Sequence, residues 1–324
     1  MVEYRSFHNT DPPRIVGLWN TYDMGRGVAS GLTVDAFEYY VFAQPYFDRT
    51  SIIVAVDGDQ LVGFAQVIKA VNDDESALGG SRGSIVALLV HPDFRRKGIG
   101  TELVRRATER LRKAGVQFVR LGPDNLTNGF YMGMYGGAQP NGFLQADGAM
   151  QPFAQSLGME SAQRFRCYQR DLNQKAREPM SIKLIANRRN TVLQAVDPSS
   201  GASWWWVTRY GRLDAVRFNL LEKRTNETLA FCELFGLDLY IAKWGQRAAG
   251  LGRIVVPEQH RGNDYELSLL LGMGKYLKDQ LVTILDVSID EQESGIVDLL
   301  ESVGFEHYDT GTVFAQPSAA ADSP

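Results

Sequence analysis

Apolar positions change spacing along the chain, and the changes mark its elements. Val2 to Phe7 reads as a short strand. Thr10-Asp11-Pro12-Pro13 then reads as a helix start, a capping side chain followed by proline, with Ile15, Leu18 and Trp19 on one face. Thr33 to Phe42 predicts a second short helix. Two β-branched runs, Ser51–Val56 and Leu61–Ile68, flank Asp57-Gly58-Asp59-Gln60, which predicts a hairpin. After the polar stretch beginning at Asn72 comes the apolar run Ser84–Val90. Leu103, Ala107 and Leu111 then recur at i, i+4, i+8 within Thr101–Ala114, and Gly115 ends that helix. A strand over Val116–Leu121 follows. Next come a glycine- and aromatic-rich stretch from Asn125 to Gly148, a helix over Met150–Leu157, and a closing strand over Arg164–Arg170. The order β-α-α-β-β-β-α-β, loop, α, β predicts a mixed α/β sheet with one parallel crossover at its centre.

Part of this pattern returns in the second half. Gly252–Val256 predicts a strand, Leu267, Leu270, Leu271 and Gly274 a helix, Leu281–Ile289 a strand and Gly295–Ser302 a helix. Val90-His91-Pro92 parallels Val255-Val256-Pro257, and Leu157-Gly158-Met159 parallels Val303-Gly304-Phe305. We read an internal duplication: a domain over 1–172, a linker over 173–180, a second domain over 181–315 and a disordered tail over 316–324. Met180 to Gly250 predicts strands with little sign of helix. Within it, Trp204-Trp205-Trp206 reads as strand, with Trp205 facing away from its neighbours.

Charge and composition narrow the chemistry. Of 324 residues, 34 are Lys or Arg and 38 Asp or Glu, a net charge of -4, which argues against a nucleic-acid binder. Residues 1–172 carry equal numbers of acidic and basic side chains, so the acid surplus lies in the second half. Cys167 and Cys232 are too few for a disulfide framework and read as small buried hydrophobes; with four histidines besides, a metal centre is not expected. No apolar run of about 18–20 residues predicts a membrane span. Met1-Val2-Glu3-Tyr4-Arg5 has no signal-peptide character, so a cytoplasmic protein is expected.

The chemistry concentrates in Arg95-Arg96-Lys97-Gly98-Ile99-Gly100, between a strand and a helix N-terminus. Two glycines let the backbone turn sharply and approach a ligand closely. The unpaired first-turn amides and the positive end of the helix dipole attract an anion. Three cationic side chains add full charges. The result is a pyrophosphate cradle, distinct from a Walker A loop and from a three-glycine dinucleotide fingerprint.

Val90-x-Pro92-x-x-Arg95-x-Lys97-Gly98-x-Gly100 resembles motif A of the GNAT (GCN5-related) N-acetyltransferases. The hairpin with Val62-Gly63-Phe64, the element order and Leu157-Gly158-Met159 are similar to that family as well. The resemblance implies two GNAT-like domains in tandem and acetyl-CoA as cosubstrate. It places pantetheine along the main chain of Leu88, Leu89 and Val90, and pyrophosphate on Arg95, Arg96, Lys97, Gly98, Ile99, Gly100 and Thr101. Asn125 would hold a pantetheine amide or the thioester region. An acetyl group would pass to the primary amine of a small molecule or peptide by direct attack in a ternary complex. No partner nucleic acid or membrane is implied, and a homodimer stays open.

Catalytic groups are less legible. The strand Ser84–Val90 carries no Glu where many family members have a base, and the usual thiol-protonating Tyr position is Ala154. Tyr135 and Tyr131, in the 125–148 insertion, are the substitute acids; the competing reading makes both of them packing residues. These gaps keep a non-catalytic acyl-CoA-binding or regulatory module as the alternative. In the second half, aligning His260 with Arg95, Asn263 with Gly98 and Tyr265 with Gly100 predicts a spent cradle, so the first half is expected to hold the cofactor. Asp73, Asp74 and Glu75 read as an acidic surface loop. Arg105, Arg106, Arg110, Arg112 and Lys113 read as a solvated helix face.

Overall fold

The computed structural model describes residues 1–44, 47–127, 131–174, 179 and 181–317. Most of the predicted linker core (175–178, 180) and the tail 318–324 lie outside the described residues. The first half runs β1 (Glu3–Ser6), α1 (Pro12–Trp19), α2 (Val34–Phe37), β2 (Ile52–Asp57), β3 (Gln60–Val71), β4 (Leu78–Val90), α3 (Ile99–Lys113), β5 (Phe118–Leu121), β6 (Phe143–Leu144), α4 (Met150–Ser156) and β7 (Glu160–Asp171). The second runs α5 (Ile182–Asn190), β8 (Thr191–Val196), α6 (Trp204–Tyr210), β9 (Ala215–Glu222), β10 (Thr228–Gly236), α7 (Ile241–Trp244), β11 (Ala248–Leu251), α8 (Tyr265–Asp279), β12 (Ile284–Asp290), α9 (Ser294–Ser302) and β13 (Glu306–Ala315).

Among the described residues all strands join one sheet, in the order β1-β2-β3-β4-β5-β13-β7-β12-β11-β10-β9-β8, with β6 beside β13. Each half contains one parallel pair, β4 with β5 and β11 with β12. The final strands change places. β13 lies between β5 and β7, while β7 lies between β13 and β12, so the last strand of each half is paired only with strands of the other. The sequence boundary at 173–180 therefore divides the chain but not the sheet.

The cores follow the same logic. On one face, α3 and α4 cover a core that includes Ile85, Leu88, Leu103 and Phe314, and α8 and α9 cover a second around Leu269, Leu270, Leu285 and Leu300. On the other face a single core crosses the midline: Trp19, Phe37, Phe64 and Tyr131 pack with Trp205, Tyr210, Phe235, Tyr240 and Trp244. Cys167 and Cys232 are buried and free.

Second-half expectations are corrected, beginning with the stretch up to Gly250, which holds three helices, α5, α6 and α7, among its described residues. Trp204–Trp206 is helical, because Ser203 caps the segment by accepting the Trp206 N–H at 3.1 Å. The predicted strand 252–256 lies earlier, at Ala248–Leu251; only Val255 pairs further on, as an isolated bridge to Phe231. The acidic loop before β4 is also docked. Glu75 accepts the Ser203 hydroxyl at 2.5 Å, and its carbonyl accepts the Trp205 N–H at 3.2 Å. On α3, Glu102 and Glu109 pair with Arg105, Arg106 and Lys113 along the solvent face, as the charge pattern predicts.

Candidate active site

β4 and β5 pair only from Arg82–Ile85 to Phe118–Leu121, and the Gly122 N–H to Ile85 carbonyl bond closes the ladder. Beyond Ile85 the strands diverge, which leaves the later main chain of β4 without a β5 partner. A bulge opposite Gln66/Val67 shifts the alternation of β4 by one residue. Val86, Ala87 and Leu89 therefore face the midline core, while Ile85, Leu88 and Val90 face α3.

The chain leaves the sheet at His91, whose N–H donates to the Val62 carbonyl at 2.8 Å, and makes a 3-10 turn over Pro92–Phe94. Arg96 (φ +61°) and Gly98 (φ +81°) take left-handed conformations. They aim the loop so that α3 begins at Ile99, with its first internal bond from the Glu102 N–H to the Gly98 carbonyl. The earlier amides of that turn are the unpaired donors that attract an anion.

Against this loop stands α4. Between them lies a cleft of about 430 Å³, lined by Leu88, Val90, Arg95, Arg96, Gly98 and Thr101 on one side and by Met150, Pro152, Phe153 and Ser156 on the other. A Cβ on Gly100 would sit 3.2 Å from the Phe153 ring, so this position accounts for the helix-to-helix spacing. Around Gly98 the corresponding space is open.

Seven of the predicted cofactor residues converge here: Leu88, Val90, Arg95, Arg96, Gly98, Gly100 and Thr101. Leu89 and Ile99 do not line the cleft; their side chains are buried in the two cores. Lys97 turns back on its own loop, donating to the Asp93 carbonyl at 2.9 Å with its ammonium 4.8 Å from the Phe94 ring centre. Asn125 is not in the cleft. It lines a separate cavity between the halves, together with Trp206 and Glu233.

The two tyrosines are also elsewhere. The buried Tyr131 donates to Gln66 Oε1 at 2.6 Å and stacks on Trp19. The Tyr135 hydroxyl accepts the Leu144 N–H at 2.8 Å, with the ring between Trp19 and Phe143. Burial raises both phenols well above their ordinary range. Neither lines the cleft, and their bonds are those of the packing role.

Two residues that sequence reasoning passed over stand in their place. Tyr22, just after α1, and Asp147, just before α4, line the cleft beside Leu88 and Val90. The Arg95 guanidinium lies 4.3 Å above the Tyr22 ring and donates to the Val90 carbonyl at 3.2 Å, which ties the cradle to this wall. Burial pushes the Tyr22 phenol up to about 12, against a smaller opposing pull from Arg95. Burial also raises the Asp147 carboxyl, again opposed by Arg95. The arrangement thus pairs a phenol that keeps its proton with a carboxylate of increased basicity.

The second half repeats the cradle's backbone, one residue out of step with the alignment read from sequence. Its 3-10 turn Glu258–His260 matches Pro92–Phe94, and the left-handed pair Gly262 (φ +75°) and Asp264 (φ +57°) matches Arg96 and Gly98. Arg261 thus stands for Arg95, Asp264 for Gly98 and Glu266 for Gly100. α8 has the same 15-residue length as α3. The loop is filled by its own chain. Ser181 donates to Asp264 at 2.6 Å, Lys183 to the Gly262 carbonyl at 2.6 Å, and Asn187 to the Asn263 carbonyl at 2.9 Å. α5 thus occupies the approach that the first cradle leaves open, and two carboxylates add repulsion for an anion.

Residues 22–134 match the model of the acetyltransferase (GNAT) family. Among proteins of curated function, none matches the sequence. Solved structures match over 97% of the chain. A tandem GNAT protein from the clavulanic acid biosynthesis pathway is 17% identical, with 98% of that chain covered and a TM-score of 0.67. A GCN5-related N-acetyltransferase from Sphaerobacter thermophilus is 15% identical, with 94% covered and a TM-score of 0.62. Saccharomyces cerevisiae N-myristoyltransferase with bound myristoyl-CoA is 11% identical, with 80% covered and a TM-score of 0.58.

Proposed function

We propose, for a chain that carries a GNAT-family acetyltransferase domain within a tandem-GNAT fold, that the first-half cleft binds acetyl-CoA and directs its acetyl group to a primary amine. The observation that carries this reading is the convergence, in one cleft, of the free edge of β4 with the open amides after Gly98. The second cradle is blocked, so one cofactor per chain is expected.

The cosubstrate supplies an activated thioester; the protein supplies placement and proton handling. First-turn amides and the Arg95 and Arg96 side chains hold phosphate oxygens. The main chain of Leu88–Val90 pairs with the extended pantetheine in the manner of an added strand. Asp147, its basicity raised, receives the acceptor ammonium and takes its proton. The freed amine attacks the thioester carbonyl, the C–S bond breaks, and Tyr22 donates its proton to the departing thiolate; the nitrogen's second proton passes to the Tyr22 phenolate, leaving the neutral amide, and Asp147 releases its proton to solvent.

Titration calorimetry with acetyl-CoA tests the binding step: one site per chain is expected, lost in a Gly98→Glu, Gly100→Glu double variant. Equal affinity in wild type and variant would refute the cradle. A thiol-release screen over primary amines tests catalysis, with Asp147→Asn and Tyr22→Phe each expected to slow turnover about 10²-fold or more. Tight binding with no turnover across the panel would mark the chain as a non-catalytic acyl-CoA-binding module.

A further inference from the structure

The second half has a cradle of its own that is closed, yet it reaches the reactive end of the first. The segment from Tyr22 to Ala29 begins with a wall residue of that end and has little regular structure: among its residues only Val28 makes a strand-type bridge, to Tyr135. First-half bonds reach it at the Gly27 carbonyl, from the Gly136 N–H at 2.8 Å, and at Arg26, which donates to Gln169 Oε1 at 2.5 Å; further bonds come from the other half. The Lys243 ammonium, at the end of α7, bonds Asp23 Oδ1 at 2.6 Å, the Gly25 carbonyl, and the Val28 carbonyl at 3.1 Å. Those three acceptors use all three donors of one ammonium. The neighbouring Trp244 donates its indole N–H to the Arg26 carbonyl at 3.0 Å, and Tyr240 donates its hydroxyl to the Gly27 carbonyl at 3.0 Å. Three residues of α7 and its approach thus bond four successive carbonyls of one loop, Gly25 to Val28.

That loop also sets the second cleft residue. Gly25 lies so close to Ala146 that a Cβ on it would stand 2.3 Å from the Ala146 methyl, and Ala146 directly precedes Asp147. From the far strand β13, Asp309 accepts the Ala146 N–H at 3.3 Å. Tyr22 and Asp147 are therefore each one residue from an atom that the second half holds.

Resting on the reading of the cleft given above, we propose that Lys243 is a positioning residue for the transfer reaction. By clamping residues 23–28 it holds Tyr22 and, through Gly25 and Ala146, Asp147 in place, so the second half serves as the scaffold of the first half's reactive end. A side chain in α7 acts here on chemistry performed in the other half of the chain.

The test compares wild type with Lys243→Met, which keeps the apolar stem and removes all three donors, and with Lys243→Arg, which restores charge and donors. Hydrogen exchange should quicken at the amides of residues 23–28 in the Met variant and little elsewhere. Acetyl-CoA affinity, set by the cradle at 95–101, should stay within about threefold. Thiol release with the best amine of the screen should fall about 10²-fold in kcat, the effect of about 1 Å of misplacement, and recover substantially in the Arg variant. General loss of structure would instead weaken cofactor binding and quicken exchange throughout. Should Lys243→Met not fold, Asp23→Asn removes the ion pair from the loop side with the same expected split. Unchanged exchange at 23–28, or quickened exchange with an unchanged kcat, would overturn the proposal. If wild type shows no turnover at all, the catalytic reading fails, while the exchange result still reports whether the clamp exists.

Discussion

Replacing Gly98 by alanine separates what the cradle costs the fold from what it gives a ligand. The residue sits at φ +81°, ψ -4°, so a Cβ there strains the backbone by about 1–2 kcal/mol. Alanine recovers about 0.4–1 kcal/mol through a less flexible unfolded chain. The net destabilisation is then about 1 kcal/mol, and a chain of this size should lose no more than about 2–4 °C in Tm. Nothing lies within 4 Å of the new methyl, so no steric cost adds to this. On the proposed reading, a bound phosphate fills that space. Losing one charge-assisted amide bond costs about 1.5–3 kcal/mol, which is about 10- to 150-fold in Kd. Thermal unfolding and acetyl-CoA calorimetry on the same preparation measure both numbers. A Tm drop of a few degrees with an affinity loss below about threefold would refute the assignment of the α3 N-terminus as the anion site.

Further predictions concern the groups that the cleft does not use. Tyr131→Phe should cost about 1–3 kcal/mol in urea unfolding, because Gln66 Oε1 loses its buried partner while Gln66 Nε2 already lacks one; the transfer rate at saturating substrate should not change. Asp286, buried on β12 beneath Tyr308, has its carboxyl pushed up by burial to about 7 from an ordinary value of 3.8. A folded-state pKa above the unfolded one means that the native chain binds the extra proton. Stability therefore falls as pH rises from about 4 to about 7 and stays lower above that window. Asp286→Asn should remove this slope, so that its stability relative to wild type is better at pH 8 than at pH 5 in paired urea titrations; an equal difference at both pH values would refute it.

What the sequence discloses depends on whether a signal is local. The β3 hairpin, the α3 stripe of Leu103, Ala107 and Leu111, and the glycines of the cradle act within a few residues of themselves and are readable directly. The bulge in β4 is not readable, yet it decides that Leu88 rather than Leu89 lines the cleft. Trp204–Trp206 carries β-prone aromatics, but the cap at Ser203 and burial of Trp205 in the midline core outweigh that tendency. Matching side chains sets the second cradle one residue out of step with its backbone. The conserved quantity between the halves is the pair of left-handed positions, which Asp264 fills without being glycine. Tyr22 and Asp147 are more than a hundred residues apart and follow no motif. The sole hint of the latter was its place just before a predicted helix, at the end of the long insertion.

The exchange of β7 and β13 bears on how this protein comes into being. A ribosome can deliver every cradle residue and both cleft side chains long before Glu306, yet the place beside β5 stays vacant until the last strand is made. Formation of the native sheet must therefore wait for pairings between distant parts of the chain, the kind of topology that slows folding. The same crossing constrains ancestry. Once two copies of a module have traded their closing strands within one polypeptide, neither can be lost by deletion without opening the other. The half whose loop is filled by its own chain thus supplies the strand that completes its neighbour's sheet.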